Sequence, residues 1–447
     1  MSTWQRLGYA LCNVAVALGT VPTSILLLYY LTEVVGLRAG LAGLVVALPK
    51  IWDALVDPMF GGWVDQMSLR IGRRTPAVLV SGAGFVVSLV LVFSLPGLHS
   101  PTQTLVVAIL LLIVSSTSQT ALGVSQFALA TEMTGNSVEL SGLLSLAAIV
   151  AQVFSVVGSI VAPMLIPWSG GGSAGYSRMA LEVAIVTAIA LLVFVAATRR
   201  VPIRAKAPES DRMSLWASLR ATGANRAYYC IISFVMCLNA SAAILFGFMP
   251  FANRYVLGGD QGALSILEGV LGVTVLGGMA LAPWFVRRLG AMRSMRLCNL
   301  AVAAMAALLF AASFGPLWTS WLAMAGMGLG SGIIGVLVQT ATLDAARLKL
   351  KNSVVVALGF YLGIMVAGMK IGGSIGGFVS GELLEVIGFV PGGGPQSAAT
   401  LLGLRLGYTF VPMLFVIAGS LFLHRVRTPS GEMPAVGTAH AVETGSV

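Results

Sequence analysis

Three ionisable residues in one apolar stretch are the strongest chemical signal in the sequence. Lys50, Asp53 and Asp57 lie within LVVALPKIWDALVDPMFGG. Residues three and four positions apart share one face of a helix, so this spacing places the three side chains together. A charged side chain at the centre of a bilayer costs between about 2.5 and more than 10 kcal/mol. This face of the helix therefore either lines a water-filled cavity or binds an ion. The alternative is a salt bridge of Lys50 with one aspartate, which leaves the second carboxylate unneutralised.

The composition indicates which elements position these residues. The chain is 57% hydrophobic and 9% charged, against roughly 25% charged residues in a soluble protein. An apolar run of about 20 residues is long enough to cross a bilayer as a helix. Twelve such runs are present, near residues 9–31, 40–63, 76–96, 103–128, 141–166, 180–198, 228–251, 262–286, 294–314, 317–341, 353–384 and 401–423. We therefore predict an all-α, multi-pass membrane protein.

The basic residues predict the orientation. The formal net charge is +10, but the lysines and arginines do not form a patch that would suit nucleic acid. Of the 24 other than Lys50 and Lys370, 20 lie on the side of the N-terminus and four, Arg38, Arg178, Arg254 and Arg405, on the other. Loops rich in lysine and arginine stay in the cytoplasm, so both termini are expected there.

Two Gly/Ser-rich segments predict an internal repeat. Residues 167–179 and 391–399 each lie between the fifth and sixth span of one half, and we expect both to be loops. The expected units are an N-terminal six-helix half at 1–198, a basic cytoplasmic linker at 199–226, a C-terminal six-helix half at 227–427 and a disordered cytoplasmic tail at 428–447. Tyr29 and Tyr30, near the outer end of the first span, are expected to anchor at the membrane interface.

Further ionisable residues lie inside or beside the spans. Lys370 is near the centre of the eleventh span and needs an acidic partner, water or an anionic ligand group. Glu268 and Glu182, in the eighth and sixth spans, are either interfacial or cavity residues. At the cytoplasmic end of the second span, Asp65 can pair with a basic residue in one conformation and release it in another. The basic residues available for such a gate are Arg70, Arg73 and Arg74.

Catalytic constellations are not evident in the sequence. No histidine–carboxylate pair falls inside a span, and neither a metal-ligand spacing nor a nucleophile elbow is present. We expect a transporter and not an enzyme. A polytopic enzyme and a lipid scramblase are the alternatives from other classes, and a scramblase is distinguished because it needs no ion gradient.

Several stretches resemble the glycoside–pentoside–hexuronide:cation symporters, the melibiose-permease branch of the major facilitator superfamily. The most specific is KIWDALVDPMFGGWVDQMSLRIGRRTP, which follows YYLTEVVGL at the family's spacing. The others are FALATEMTGNSVE, MKIGGSIGG and GELLEVIGFVPGG. The resemblance covers most of the chain and implies two six-helix halves around a central cavity, in the inner membrane of a bacterial cell.

The resemblance also implies a function and a site. It implies a cation-coupled symporter of a small solute, by family default a sugar or glycoside, with no cofactor. Asp53, Asp57 and Thr120 fall at the cation-ligand positions, and Lys370 at the lysine that approaches them. The melibiose-type asparagine between the aspartates is Val56 here, so a proton shared by the two carboxylates is the alternative to Na⁺.

The sugar-binding positions depart from the family pattern. The two aspartates and the arginine of its sugar porters are replaced by Ala17, Gly123 and Ala148. These replacements make an amphipathic or lysolipid-like solute the alternative substrate. We expect a monomer that contacts membrane lipids.

Overall fold

The computed structural model describes residues 2–71, 75–95, 100–134, 137–199, 226–347 and 354–426. Within these ranges, the side chains of 57–71, 75–76, 132, 137, 343–347 and 354–362 are not among those described. Most of the predicted linker, 199–226, and the whole predicted tail, 428–447, lie outside the described residues.

Twelve long helices make up the described part of the chain. In the first half of the chain they are α1 Thr3–Ile25, α2 Ala39–Ile71, α3 Thr75–Val92, α4 Pro101–Met133, α5 Ser137–Trp168 and α6 Gly172–Thr198. In the second half they are α7 Arg226–Phe251, α8 Gln261–Leu289, α9 Ala291–Ala312, α10 Leu317–Arg347, α11 Val354–Val386 and α12 Ala398–Arg425. The prediction of an all-α membrane protein with twelve helices is confirmed.

Eleven of these helices contain apolar segments long enough to cross a membrane, and α3 has a shorter apolar segment, Ala77–Val92. Continuous hydrophobicity is expected here because a helix in lipid satisfies its own backbone hydrogen bonds and needs apolar side chains facing outward. The protein is therefore an integral, multi-pass membrane protein.

Helix pairings recur between the two sets of six helices. In the first set, α1 packs on α5 and α6, α4 on α2 and α3, and α3 on α6. In the second set, α7 packs on α11 and α12, α10 on α8 and α9, and α9 on α12. Each pairing in the second set corresponds to one six helices earlier.

The first helix of each set also ends in the same way. After α1, a short turn at Leu27–Tyr29 leads into the π-helical turn Tyr30–Val34, and α7 leads directly into the π-helical turn Ala252–Val256. A π-turn lets one extra residue enter the helix and re-aims the side chains that follow. Both turns lie at the end of the bundle opposite α1's first residue, which we call the far end.

The two sets meet chiefly along α2 with α11 and along α5 with α8. Glycines make the first contact close: a Cβ built on Gly43 would lie 2.7 Å from the Cα of Gly381. Small residues allow helix backbones in a membrane to approach in this way. The approach brings Lys370 on α11 to the charged segment of α2.

Two local predictions were wrong. The segment 167–179 was expected to be a loop, but α6 begins at Gly172 and only residues 169–171 separate it from α5. The first turns of α6 pack on the end of α5, where a Cβ on Gly175 would lie 2.6 Å from the carbonyl oxygen of Ile166. Small residues that favour a loop in isolation therefore favour close helix packing here.

Tyr29 and Tyr30 do not anchor at an interface. Both rings are buried. The Tyr30 hydroxyl accepts a hydrogen bond from the backbone N–H of Leu95 at 3.1 Å, and its ring centroid lies 5.1 Å from that of Tyr176. The tertiary packing of α1 against the ends of α3 and α6 outweighs the amphipathic preference of the phenol rings.

Candidate functional site

Asp53 lies where three helices from both halves of the chain meet. It is on α2, and only 6% of the residue is exposed. Ser116 on α4 donates a hydrogen bond from its hydroxyl to Oδ1 of Asp53. From the opposite side, Nζ of Lys370 on α11 lies 3.2 Å from Oδ2 of Asp53. The carboxylate is therefore held by one hydroxyl from the first half and one ammonium group from the second.

Lys50 lies on α2 and is bonded to the backbone of α11. Its Nζ donates to the carbonyl oxygen of Gly373 on α11 at 3.4 Å. Among the described side chains, the cation beside Asp53 is Lys370 and not Lys50. Lys50 thus also reaches across from α2 to α11, one turn away from the Asp53–Lys370 pair.

Thr120, expected as a cation ligand, lies one helical turn after Ser116 on α4 and is half-buried. Residues at this spacing share a helix face, so Thr120 lies on the side of α4 that carries Ser116. Ser116 lies against Asp53, and the role of Thr120 as a cation ligand stays a prediction. The surrounding sequence SSTSQT is rich in hydroxyl residues, and helical spacing alone does not show which hydroxyl contacts α2.

Five of the predicted site residues are not described at the level of their side chains. Asp57, Asp65 and Arg70 lie on α2 with side chains outside the described set, and Arg73 and Arg74 lie outside the described residues. The second carboxylate and the predicted gate on this side of the protein therefore stay predictions.

Two neighbouring cavities lie on this side of α2, and Asp53 lines the smaller one. A pocket of about 350 Å³ is lined by Lys50, Asp53 and Lys370 together with Gln119 and Asn239. A larger cavity of about 680 Å³ shares Gln119 and Asn239 with that pocket. Its walls come from α1, α4 and α5 on one side and from α7 to α12 on the other. Concave, mostly apolar cavities with a few convergent polar groups are the usual sites of small molecules.

The larger cavity is lined by one of the three positions at which the sequence departs from the sugar-porter pattern. Ala17 lines it. Gly123 and Ala148 are exposed and are not among its lining residues. A Cβ on Gly123 would meet no described atom within 4 Å, so α4 has room for a side chain at this position.

Polar contacts join the two halves at the far end. Glu385 on α11 forms an ion pair with Arg38 and accepts a hydrogen bond at 2.9 Å from the backbone N–H of Gly40, at the start of α2. Arg254 donates to the Tyr29 hydroxyl at 2.8 Å. The end of the bundle that contains the first interhelical loop is thus closed by bonds between the halves.

The chemistry of the Asp53 site fits a hard cation or a proton. Carboxylate and hydroxyl oxygens are the ligands that such cations prefer. The Lys370 ammonium group occupies one face of the carboxylate, so a second cation that uses Oδ2 must displace it. Among the described residues, no cluster of three or more histidine, cysteine or acidic side chains is present that would hold a resident metal.

Comparison with known proteins identifies the relationship. The sequence matches the family described as MFS/sugar transport protein over residues 8–429. It is 24% identical to the isoprimeverose transporter of Lactiplantibacillus pentosus, over 93% of this chain and 86% of that protein. It is 25% identical to the glucuronide carrier protein homolog of Escherichia coli (strain K12), over 93% of this chain and 90% of that protein.

A solved structure with the same fold is that of a bacterial homologue of the human lysosomal transporter Spinster, in an inward-facing and unoccupied conformation. The TM-score is 0.72 at 14% identity, and the match covers 95% of this chain and 97% of the other. At this identity the likeness concerns the fold. The expectation of a major facilitator superfamily fold is confirmed.

Proposed function

Because the chain belongs to the MFS/sugar transport protein family, we propose that it is a cation-coupled symporter of a sugar or glycoside. The observation that carries the proposal is the Asp53–Lys370 ion pair, 3.2 Å long, which joins the two halves beside the central cavity. Whether this ion pair forms depends both on whether a cation is bound at Asp53 and on how the two halves are arranged. The family is one of transporters of small solutes and not of enzymes.

The coupling step follows from competition at Asp53. In the arrangement described here, Lys370 neutralises the carboxylate. When a cation binds Asp53, it releases Lys370, and the contact between α2 and α11 loses its charge attraction. The cation therefore favours a different arrangement of the halves, and reciprocity requires that a solute favouring that arrangement tightens cation binding equally.

The coupling cation is Na⁺ or H⁺. The proposed ligands are Asp53, Asp57 and Thr120, and the position of Ser116 adds a further oxygen. Val56 in place of the family's asparagine removes one oxygen ligand and favours a proton, whereas the Ser116 hydroxyl supplies one and favours Na⁺. Lys50 and Lys370 are the charge partners of this site.

The direction of opening follows from the proposed orientation. With both termini cytoplasmic, as the 20-to-4 distribution of basic residues indicates, the closed far end faces the outside. The arrangement is then inward-facing, and Asp65, Arg70, Arg73 and Arg74 form the gate on the cytoplasmic side. We place the protein in a bacterial inner membrane as a monomer in contact with lipid.

The test is uptake into proteoliposomes under an imposed Na⁺ or pH gradient, with radiolabelled isoprimeverose as the first probe of a glycoside screen. The double variant Asp53→Asn/Asp57→Asn should lose accumulation above equilibrium while remaining folded in the membrane. Glu182→Gln is the matched control, because Glu182 is exposed on α6 and does not line the cavities. Normal accumulation by the double variant would reject the proposal.

An amphipathic or lysolipid-like solute is the alternative, favoured by the apolar wall at Ala17. An uncoupled lipid transporter is the other alternative. Uptake of a labelled lysolipid in place of the glycoside would identify the first. Equilibration of lipid without any dependence on a gradient would identify the second.

A further inference from the structure

Glu268 on α8 is a buried carboxyl group that the cation site does not use. It is 2% exposed, and its Oε1 has no hydrogen-bond partner among the described residues. It lines the 680 Å³ cavity but not the 350 Å³ pocket that contains Asp53. A buried carboxyl group with an oxygen that lacks a donor is costly, and its place in a cavity wall lets a bound molecule donate a hydrogen bond to it.

The rest of the cavity wall limits what that donor is. Of the described residues that line the 680 Å³ cavity, Glu268 is the only acidic or basic one. The other polar groups are uncharged, among them Gln152, Ser155 and Ser159 on α5 and Ser241 on α7. A solute that enters this cavity therefore meets amides and hydroxyls and one carboxyl group, with no basic side chain on these walls.

The basic side chains near the site lie in the adjoining pocket and are already engaged. Lys370 is paired with Asp53, and Lys50 donates to the Gly373 carbonyl. An anionic group beside Glu268 would face a second carboxyl group with no cation between them, which disfavours the charged form of both. A neutral glycoside instead offers hydroxyl donors, and each hydroxyl left without a partner in a buried site costs affinity.

The geometry points to Glu268 as a solute-binding residue: we propose that its carboxyl group, which lines the 680 Å³ cavity, accepts a hydrogen bond from a hydroxyl of an uncharged glycoside there. Glu268 thereby makes the cavity wall opposite α1 and α4 selective for neutral over anionic glycosides. The inference rests on the proposed function and specifies the substrate class of its solute site.

Equilibrium binding to purified protein tests this residue without requiring ion coupling. The probes are isoprimeverose, a neutral disaccharide, and p-nitrophenyl β-D-glucuronide, an anionic glycoside. Glu268→Leu should weaken isoprimeverose binding by roughly 10- to 100-fold, the loss expected when a hydrogen bond to a buried carboxyl group is removed. Glu268→Gln should weaken it by less than about 10-fold, because the amide oxygen still accepts.

The wild-type protein should bind isoprimeverose more tightly than the glucuronide, and Glu268→Gln should narrow that difference. Glu182→Gln, a matched carboxyl-to-amide change outside the cavity, should leave both affinities unchanged. Thermal unfolding of each variant separates binding from folding: a purely structural role of Glu268 changes the melting temperature and leaves the Kd of the folded fraction unchanged.

The inference is overturned if folded Glu268→Leu protein binds isoprimeverose as tightly as the wild type does. It is also overturned if the wild-type protein binds the glucuronide more tightly than isoprimeverose. Those results leave the symporter proposal intact, because uptake with the Asp53→Asn/Asp57→Asn variant tests that proposal separately. A wild-type protein that binds neither probe overturns the glycoside class and this inference with it.

Discussion

Replacement of Lys370 by methionine tests whether this lysine competes with the coupling cation. Methionine keeps the length and the apolar stem of the side chain but removes the charge. In the wild type, Nζ of Lys370 lies 3.2 Å from Oδ2 of Asp53, and the two side chains are 24% and 9% exposed. The variant leaves Asp53 with the Ser116 hydroxyl and without its cationic partner. A bound cation then no longer has to displace the lysine.

The magnitude follows from the geometry of the pair. Two unit charges at this separation attract by roughly 5 kcal/mol at an effective dielectric constant of about 20. Desolvation of two partly buried groups offsets most of that attraction, which leaves about 1–2 kcal/mol net. At 1.36 kcal/mol per factor of ten, Lys370→Met should tighten cation binding at Asp53 by about 5- to 30-fold.

The assay is a Na⁺ titration at constant ionic strength, and a separate pH titration, followed by tryptophan fluorescence. Trp52 is adjacent to Asp53, and its Nε1 donates to the Thr117 hydroxyl on α4 at 3.2 Å, so its emission reports on the contact between α2 and α4. Trp52→Phe identifies the contribution of Trp52 among the eight tryptophans. Asp53→Asn should abolish the response.

Lys50→Met is the matched control, because Lys50 lies in the same pocket but donates to a backbone carbonyl. It should tighten cation binding by less than about threefold, since its charge acts on Asp53 only over a longer distance. The competition hypothesis is refuted if Lys370→Met leaves cation affinity unchanged or lowers it, or if Lys50→Met has the same effect as Lys370→Met.

The remaining predictions concern the contacts between α2 and α11. Glu385→Gln should raise the open population of the far end by roughly 3- to 30-fold, because Glu385 accepts a hydrogen bond from the Gly40 N–H as well as pairing with Arg38. Arg38→Gln should raise the same population by less than about fivefold, since the Arg38 side chain is 77% exposed. Spin-label distances across the far end measure both populations, and an Arg38 variant that opens this end more than the Glu385 variant would contradict the ranking. Gly43→Val should prevent closure and reduce uptake at least 10-fold, since even its Cβ would lie 2.7 Å from the Gly381 Cα. Gly123→Ala, whose Cβ meets no described atom within 4 Å, should leave uptake unchanged, and equal losses in the two glycine variants would contradict this interpretation.

The sequence predicted the fold well because a lipid environment imposes a simple rule. Each span must satisfy its own backbone and present apolar side chains, so a hydropathy pattern identifies it without any tertiary information. The same rule gives no information on loops made of small residues. Residues 172–179 were predicted as loop and are helical because α6 packs against the end of α5.

The candidate site was only partly predictable. Asp53 and Lys370 were identified because charges deep in a span require a reason, but their distance in sequence is 317 residues, and no local pattern pairs them. Ser116 was missed because hydroxyl residues at helical spacing also bond to their own backbone. Glu268 was noticed, but one sequence does not distinguish a cavity residue from an interfacial one.

The sequence by itself therefore determined the twelve spans, their family and the presence of charges that lipid cannot hold. Only the tertiary structure decided that Ser116 contacts Asp53, and that Glu268 lines a cavity while its Oε1 has no donor among the described residues. It also brings the Lys370 ammonium group, which the resemblance placed near the cation site, to Oδ2 of Asp53. The physical reason is that hydropathy is a property of each segment alone. A contact such as that between Gly43 and Gly381 depends instead on how two distant helices pack.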